Sequence, residues 1–485
     1  MMKLEVSDQV ILSSTPLLMN HTNSHLGGIY FVGFNKLNLF AFALISKPHT
    51  QAEMSPHNFL YIVCHDLGRA MGCYGADVPT PCLDRFAAES VRFTNAHCAS
   101  PACSPSRACA MSGQHAHRSG AIGLSHMGWP LPLDRSTSVD DFNAAGYQTI
   151  LSGINHERHP RTDRYEIDLS HDWSDWNSDR VVDNALRTLE RRDRSRPFYL
   201  NIATQEPHAC TWPAVGGRIP ALPPDTPVWN PPGMPDYPGK EEDFRRFAAS
   251  IAFMDLHIGR LLAGIDRLGL RETTVVVFTT DHGISGPRAK GTLYGLGTEI
   301  AFLLRLPDGR HAGETRNTLL SNLDFRPTWC EAFGLAPPEH IDGRSFWSVI
   351  GQPDAPHRDH LYLERNFHGE KLRPDDTDWT DLYDPIRAIR TPEHLYIRHY
   401  IPDAWPGRFR PSEELYDLVS DPRENHSVCD PARLETFRRL QESEARALAD
   451  FVPGPPPPRP ERPGWGPVWP APSTIREKLC PQMSC

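Results

Sequence analysis

Four short segments of this chain are apolar almost without interruption, and they restrict the class of fold it can adopt. Residues 58–64 (NFLYIVC), 147–152 (YQTILS), 197–203 (PFYLNIA) and 273–280 (TTVVVFTT) are rich in β-branched and aromatic residues and are bounded by polar, Gly or Pro punctuation. Runs of this kind read as strands buried within a sheet. Between the last two, Phe244, Phe247, Ile251, Met254, Ile258, Leu261, Ile265 and Leu268 recur every three or four residues, as on one face of a long amphipathic helix packed on that sheet. The alternation predicts an α/β domain over residues 55–350.

The texture changes after residue 350. Residues 360–365, 386–390 and 394–400 read as short strands, followed by one helix over 432–451, so a smaller C-terminal α+β subdomain with a short antiparallel sheet is expected over 351–452. Residues 453–472 hold ten prolines and predict an extended tail, with Trp465 and Trp469 placed to pin it to the body. At the other end, residues 1–54 are expected to form a poorly ordered extension. Their apolar stretch, 29–45, is interrupted by Asn35, Lys36 and Asn38, and a central Lys costs about 2.5–3.5 kcal/mol in a bilayer, so no transmembrane anchor is expected.

Charge and cysteine usage exclude several functions. Fifty Lys and Arg against 60 Asp and Glu leave a net charge of -10 with no basic run, which argues against nucleic acid as a partner. Eleven cysteines without a Cys-x-x-Cys pair spell neither a zinc finger nor a disulfide framework, and thiols such as Cys64, Cys73 and Cys109 suit a reducing, cytoplasmic interior. Nothing in the sequence fixes an oligomeric state.

In open α/β sheets ligands bind beyond the carboxyl ends of the strands, so the residues that follow each strand are informative. The first strand is followed by His65 and Asp66, the second by Gly153 and His156, the third by Glu206-Pro207-His208 and the fourth by Asp281-His282-Gly283. Singly, each is an ordinary cap or turn residue. Together they bring two aspartates and four imidazoles to one rim, where Asp66, Asp281, His65 and His282 are candidate ligands of a divalent cation.

The segment Cys103-Ser104-Pro105-Ser106-Arg107, followed by Ala108-Cys109-Ala110-Met111-Ser112-Gly113, resembles the signature of the type I sulfatases, Cys-x-Pro-x-Arg, in which the cysteine is oxidised to formylglycine (3-oxoalanine). Its companions occur in the order seen in that family over most of residues 57–350: His65-Asp66, Gly153 to His156, Glu206-Pro207-His208, Asp281-His282-Gly283 and Lys290-Gly-Thr-Leu-Tyr-Gly. Leu415-Tyr416-Asp417-Leu418 with Asp421-Pro422 resembles the family's C-terminal region. The resemblance implies an alkaline-phosphatase-like fold, with a large central mixed sheet flanked by helices, and a maturation enzyme that makes formylglycine from Cys103. It also implies a metal at Asp66, Asp281 and His282, with His65 beside them.

The resemblance further implies roles for the other residues. A hydrated aldehyde at position 103 attacks sulfur, and Asp281 takes its proton. Arg107 steadies residue 103, Lys290 binds sulfate and His208 protonates the leaving atom, a general-acid step typically worth about 10²- to 10⁴-fold. His156 then deprotonates the remaining hydroxyl so that sulfate departs. Splitting one displacement into two lowers each barrier.

Two positions depart from the family pattern. His65 stands where a second Asp is common, which removes an anionic ligand. Ca2+ is still expected, with Mn2+ or Zn2+ as alternatives because imidazole suits them. Ile154 stands where the family carries the Lys of Gly-Lys-x-His, and Gln114 stands where a basic residue is common. Gly120-Ala121-Ile122-Gly123-Leu124, Leu293-Tyr294-x-x-Gly297 and Glu477-Lys478-Leu479-x-Pro481-Gln482 resemble the sulfamidases, which remove N-linked sulfate from terminal glucosamine. The expected substrate is therefore a small sulfated saccharide, N-sulfoglucosamine above O-sulfated sugars. The alternatives are a phosphonate or phosphodiester hydrolase of the same superfamily and an inactive, glycan-binding relative.

Overall fold

A computed structural model describes residues 57–158, 164–170, 176–336, 338–370, 380–402 and 410–458. The N-terminal extension and nearly all of the proline-rich tail, including Trp465, Trp469 and the 477–482 match, lie outside the described residues. The strands are β1 (Asn58–Cys64), β2 (Val91–Phe93), β3 (Ala96–His97), β4 (Gln148–Gly153), β5 (Ile167–Asp168), β6 (Phe198–Ala203), β7 (Thr274–Thr280), β8 (Phe302–Arg305), β9 (Thr315–Arg316), β10 (Leu320–Ser321), β11 (Leu361–Glu370), β12 (Thr380–Arg390), β13 (His394–His399) and β14 (Glu413–Asp417). The helices are α1 (Pro81–Ala88), α2 (Cys103–Ser112), α3 (Ala116–Ser119), α4 (Ser138–Ala144), α5 (Ser178–Arg191), α6 (Lys240–Arg267), α7 (Gly295–Thr298), α8 (Phe325–Phe333), α9 (Trp347–Gly351) and α10 (Pro431–Ala447).

The four apolar segments form the centre of an eight-stranded mixed sheet ordered β5-β4-β6-β1-β7-β8-β2-β9. β4, β6, β1 and β7 are neighbours and all parallel, so their carboxyl ends emerge side by side. β8 runs antiparallel between β7 and β2. Side chains alternate across the sheet. Leu60, Ile62, Val276 and Phe278 meet Phe247, Ile251, Met254 and Ile258 of α6 on one face. Phe59, Tyr61, Val275 and Val277 meet Phe142, Trp329 and Phe333 of α4 and α8 on the other. Burial on both faces is why these strands read as continuous apolar runs, and each fully buried large side chain contributes about 1.5–3 kcal/mol.

β11 to β14 form an antiparallel sheet in sequence order. One face buries Leu361, Leu363, Ile386, Ala388 and Ile397 against Leu293 and Leu319, and Tyr362 and Ile389 on the other face meet Ala445 of α10. β11 extends beyond the expected 360–365 because the backbone through Glu370 stays paired to β12 although the side chains there turn polar. Its backbone also reaches the segments either side of α2, where Glu364 N–H donates to Ala99 O (2.9 Å) and Phe367 N–H to Ile122 O (3.2 Å).

A buried ionic network fastens this junction. Arg387, fully buried, donates through Nη2 to Asp450 Oδ1 (2.9 Å) and to Asn366 Oδ1 (2.8 Å). Asn366 Nδ2 donates to Glu364 Oε2 (3.1 Å). His117 faces Glu364 through Nδ1 (3.1 Å) and Leu448 O through Nε2 (3.2 Å), and acceptors at both nitrogens hold it as the imidazolium. Burial opposes that charge, but the Glu364 carboxylate raises the His117 pKa above the ordinary imidazole value.

Removing one member of such a network strands a buried charge. Asp450→Ala is expected to lower stability by about 3–5 kcal/mol, whereas Glu435→Ala, which removes pairs with the partly exposed Arg438 and the exposed Arg439, should leave stability nearly unchanged. Denaturant titration of both variants checks this. A second prediction concerns β4. Gly153 has φ 108° and an added Cβ would lie 1.9 Å from Ala203 O, while Gly146, at φ 79°, has open space around it. Gly153→Ala is expected to cost on the order of 2–4 kcal/mol and Gly146→Ala about 1–2 kcal/mol, read by the same titration.

Candidate active site

The four strand ends deliver their polar residues to the N-terminus of α2. Cys103 is the first residue of that helix, and all ten of the helix's residues are buried. Pro105 in the first turn gives up no intrahelical hydrogen bond. The helix is fixed under the sheet rim by Ser106, whose hydroxyl donates to Asp281 O, and by Asn322 Nδ2, which donates to Ser106 O (3.0 Å).

Asp66 and Asp281 follow adjacent strands, and the Asp66 N–H donates to Asp281 Oδ1 (3.0 Å). Asp66 itself has φ 50°, a left-handed backbone that a residue with a Cβ adopts only where its surroundings enforce it. Two buried carboxylates this close stay ionised only among cations. Lys290 Nζ lies 2.9 Å from each Asp66 oxygen, His282 Nε2 lies 3.2 Å from Asp66 Oδ1 and the Ser285 hydroxyl donates to Asp66 Oδ2 (2.6 Å). Burial alone would raise the Asp66 pKa, but His208, Lys290 and His282 hold it well below the usual carboxylate range. Asp281 is served by Arg107 Nε (3.3 Å) and His65 Nδ1 (3.1 Å), both at Oδ2. Burial and Arg107 work against charge on His65, yet Asp281 raises it to about 9.

Cys103 Sγ stands 3.3 Å from His282 Nε2 and 3.9 Å from Asp66 Oδ1. Against the desolvation that would keep the proton on sulfur, Lys290 and His282 pull the thiol pKa well below its ordinary value. His208 Nε2 lies 3.2 Å from Lys290 Nζ and 3.8 Å from Asp66 Oδ2. His156 packs its ring 5.4 Å from that of His65, and burial pushes its pKa down to about 4. All nine residues expected from the sequence, His65, Asp66, Cys103, Arg107, His156, His208, Asp281, His282 and Lys290, thus meet at one rim.

The donor set fits a divalent cation. Ligand atoms of Asp66, Cys103, Asp281 and His282 lie within 4.8 Å of one another, as do those of His65, Asp66, Cys103 and His208. His282 places Nδ1 2.9 Å from Gly283 O, which holds a proton there, so that Nε2, which faces the carboxylates as part of the imidazolium, is the nitrogen that would turn to an ion on losing its proton. His65 Nε2 and Arg107 Nη2 are buried with no hydrogen-bond partner among the described residues.

Three neighbours were not marked by the sequence pattern. His126 stacks on His156 (ring centroids 5.6 Å apart) with its Nδ1 3.4 Å from His156 Nε2, Ser285 binds Asp66, and His368 of β11 packs against Gly291. None sits at a strand end or within the signature, so spacing gave no signal for them. Ile154 is buried and supplies no cation, and Gln114 Nε2 donates to His340 O (2.7 Å), so it ties down a loop.

The sulfatase family profile matches residues 57–335, and that of the N-sulphoglucosamine sulphohydrolase C-terminal region matches residues 285–448. The N-sulphoglucosamine sulphohydrolase of Homo sapiens is 26% identical over 464 aligned residues, covering 81% of this chain and 89% of that protein. An ulvan-active sulfatase of Formosa agariphila is 27% identical over 428, covering 80% of each chain. An N-acetylglucosamine-6-O-sulfatase of Bacteroides thetaiotaomicron is 24% identical over 509, covering 81% of this chain and 86% of its own. Among solved structures, one in complex with its substrate D-glucosamine-2-N,6-O-disulfate superposes with a TM-score of 0.64 at 20% identity, over 82% of this chain and 99% of that one. The phosphonate monoester hydrolase of Silicibacter pomeroyi gives 0.61 at 18% identity, over 81% and 95%. With a signature cysteine opening a buried helix among two aspartates, a lysine and four imidazoles, and with more than half its length matched by the family profile, the chain belongs to the sulfatase family.

Proposed function

We propose that this protein is a formylglycine-dependent hydrolase that releases sulfate from a small sulfated amino sugar, with N-sulfoglucosamine as the preferred substrate. The observation that carries this reading is Cys103 at the first turn of α2, within reach of His282, Asp66 and Lys290. The preference for an amino sugar rests on the C-terminal region and on the human relative.

In this reading Asp66, Asp281 and His282 hold the cation, Ca2+ by the oxygen content of the set, with Mn2+ and Zn2+ as the outcomes that the imidazoles at 65 and 282 allow. When bound, the cation supplies a Lewis-acid contact to a sulfate oxygen, and the hydrated aldehyde made from Cys103 supplies the nucleophile. The chain's own groups do the rest. Lys290 balances sulfate charge. Arg107, through Nε, keeps the Asp281 carboxylate in place. His208, whose imidazolium Asp66 stabilises against burial, keeps a proton next to Lys290 for the departing oxygen or nitrogen. His156, which burial keeps neutral, is ready to accept one.

Protein made with a formylglycine-generating enzyme should carry the aldehyde or its hydrate on the Cys103 peptide, and Cys103→Ala should keep its melting temperature while losing all turnover. Peptide mass spectrometry and sulfate release from N-sulfoglucosamine read the two outcomes. An unmodified thiol in active protein would contradict the reading, and faster turnover of an aryl phosphonate than of the matched aryl sulfate would point to the phosphonate hydrolase chemistry instead. Chelation followed by dialysis should abolish turnover, and Ca2+, Mn2+ and Zn2+ added separately identify the ion by which one restores it. Lys290→Ala should lower kcat by about 10²- to 10³-fold, the size expected for one preorganised charge contact.

A further inference from the structure

The C-terminal sheet places the side chain of His368 beside the segment that carries Lys290. His368 lies near the end of β11, paired with Leu382 of β12. Its ring covers Gly291, the residue after Lys290. A Cβ on Gly291 would lie 2.9 Å from His368 Cδ2 and 3.4 Å from Nε2, so the imidazole is in contact with the backbone that carries Lys290. Both sides of this contact are held from elsewhere. Gly291 N–H donates to Pro101 O (2.8 Å), two residues before Cys103, and Phe367 N–H donates to Ile122 O (3.2 Å). Phe367 also stacks on Trp129, with ring centroids 4.8 Å apart. His368 is thus set by a rigid edge strand docked on both flanks of α2 rather than by a loose loop.

The ring is chemically unspent. His368 is half-buried, and its Nδ1 is buried with no hydrogen-bond partner among the described residues. Buried polar atoms are nearly always paired, and those that are not commonly await a ligand or water. Burial first, then the positive charges of Lys290 and Arg365, push its pKa down to about 3. It is therefore a neutral imidazole at physiological pH, able to donate from one nitrogen and accept at the other. Lys290, the residue before Gly291, places its Nζ 3.2 Å from His208 Nε2, the group assigned to the leaving atom.

We infer that His368 is a specificity-determining residue, a hydrogen-bonding contact from the C-terminal sheet to the saccharide that carries the sulfate. The inference rests on the reading of the site as an amino-sugar sulfohydrolase. It places the sugar beside the His368 ring, where β11 meets the segment that carries Lys290, and it gives the C-terminal sheet a part in choosing the substrate. A hydroxyl or amine of the sugar would pair with the ring. A small aryl sulfate, with no such groups, would not.

The test compares kcat/KM for N-sulfoglucosamine with that for a simple aryl sulfate, in formylglycine-bearing wild type, H368A and H368Q. The expected result is a fall in the sugar-to-aryl ratio of about 10- to 100-fold in H368A, carried mainly by KM for the sugar, and a smaller fall in H368Q, whose amide can still donate and accept. Melting temperatures show which variants are folded. An unchanged ratio in either folded variant overturns the inference. Wild type that releases sulfate from neither compound overturns the functional reading itself, and the inference with it.

Discussion

Two carboxylates at neighbouring strand ends organise this molecule. Asp66 and Asp281 lie beyond β1 and β7, buried and joined by a backbone hydrogen bond, and neither can stay charged there without partners. The requirement reaches outward in every direction. Lys290 and His282 answer Asp66, while Arg107 and His65 answer Asp281. Arg107 lies one turn along α2 from Cys103, so the same ion pair that neutralises Asp281 also sets where the helix begins and where its first residue sits. The left-handed backbone at Asp66 is maintained by this surrounding set.

The second sheet depends on the first through α2 as well. β11 donates backbone hydrogen bonds to Ala99 and Ile122, which bracket the helix in sequence, and the Glu364, His117, Arg387 and Asp450 network closes the same seam with buried charge. A buried network of this kind is costly to break and adds little if built from apolar groups of equal volume, but it admits only one register. The consequence is that the imidazole of His368 is carried to Gly291 with the precision of a strand.

Much of this was legible in the sequence, and the parts that were not have physical causes. β1, β4, β6 and β7 are buried on both faces and announce themselves as apolar runs, and α6 is long enough for its period to be plain. β2, β8 and β9 are two to four residues long, so they carry no period of their own and form only because β7 offers an edge to β8, β8 one to β2 and β2 one to β9. Within the site, residues at strand ends or in the signature could be picked out because the fold class says where loops converge. His126 and His368 reach the site from a short turn and from a strand of the other sheet, contacts that depend on tertiary packing rather than spacing. Ser285 lay just beyond Asp281-His282-Gly283, but a serine two residues past a motif is too common to signal anything.

The charge balance of the site explains how a chain with a net charge of -10 can take an anionic substrate. The two fixed cations nearest Cys103 are both committed. Lys290 lies 2.9 Å from each oxygen of Asp66, and Arg107 is 3.3 Å from Asp281. Ile154 is buried and brings no charge, and among the described residues His126 and His368 are both held neutral. Lys290 therefore cannot serve Asp66 and a sulfate equally well. On the proposed reading a divalent ion shared by Asp66, Asp281 and His282 takes over the neutralisation of Asp66, and the Lys290 ammonium becomes available to the substrate. Ion and substrate would then bind with positive coupling, since each relieves a charge that the other leaves unbalanced. On the same reading, with Lys290 and Arg107 already engaged, recognition beyond the sulfate would fall, among the described residues, to neutral hydrogen-bonding groups, which suits a short sugar bearing one anionic group better than a polyanion held along a basic surface.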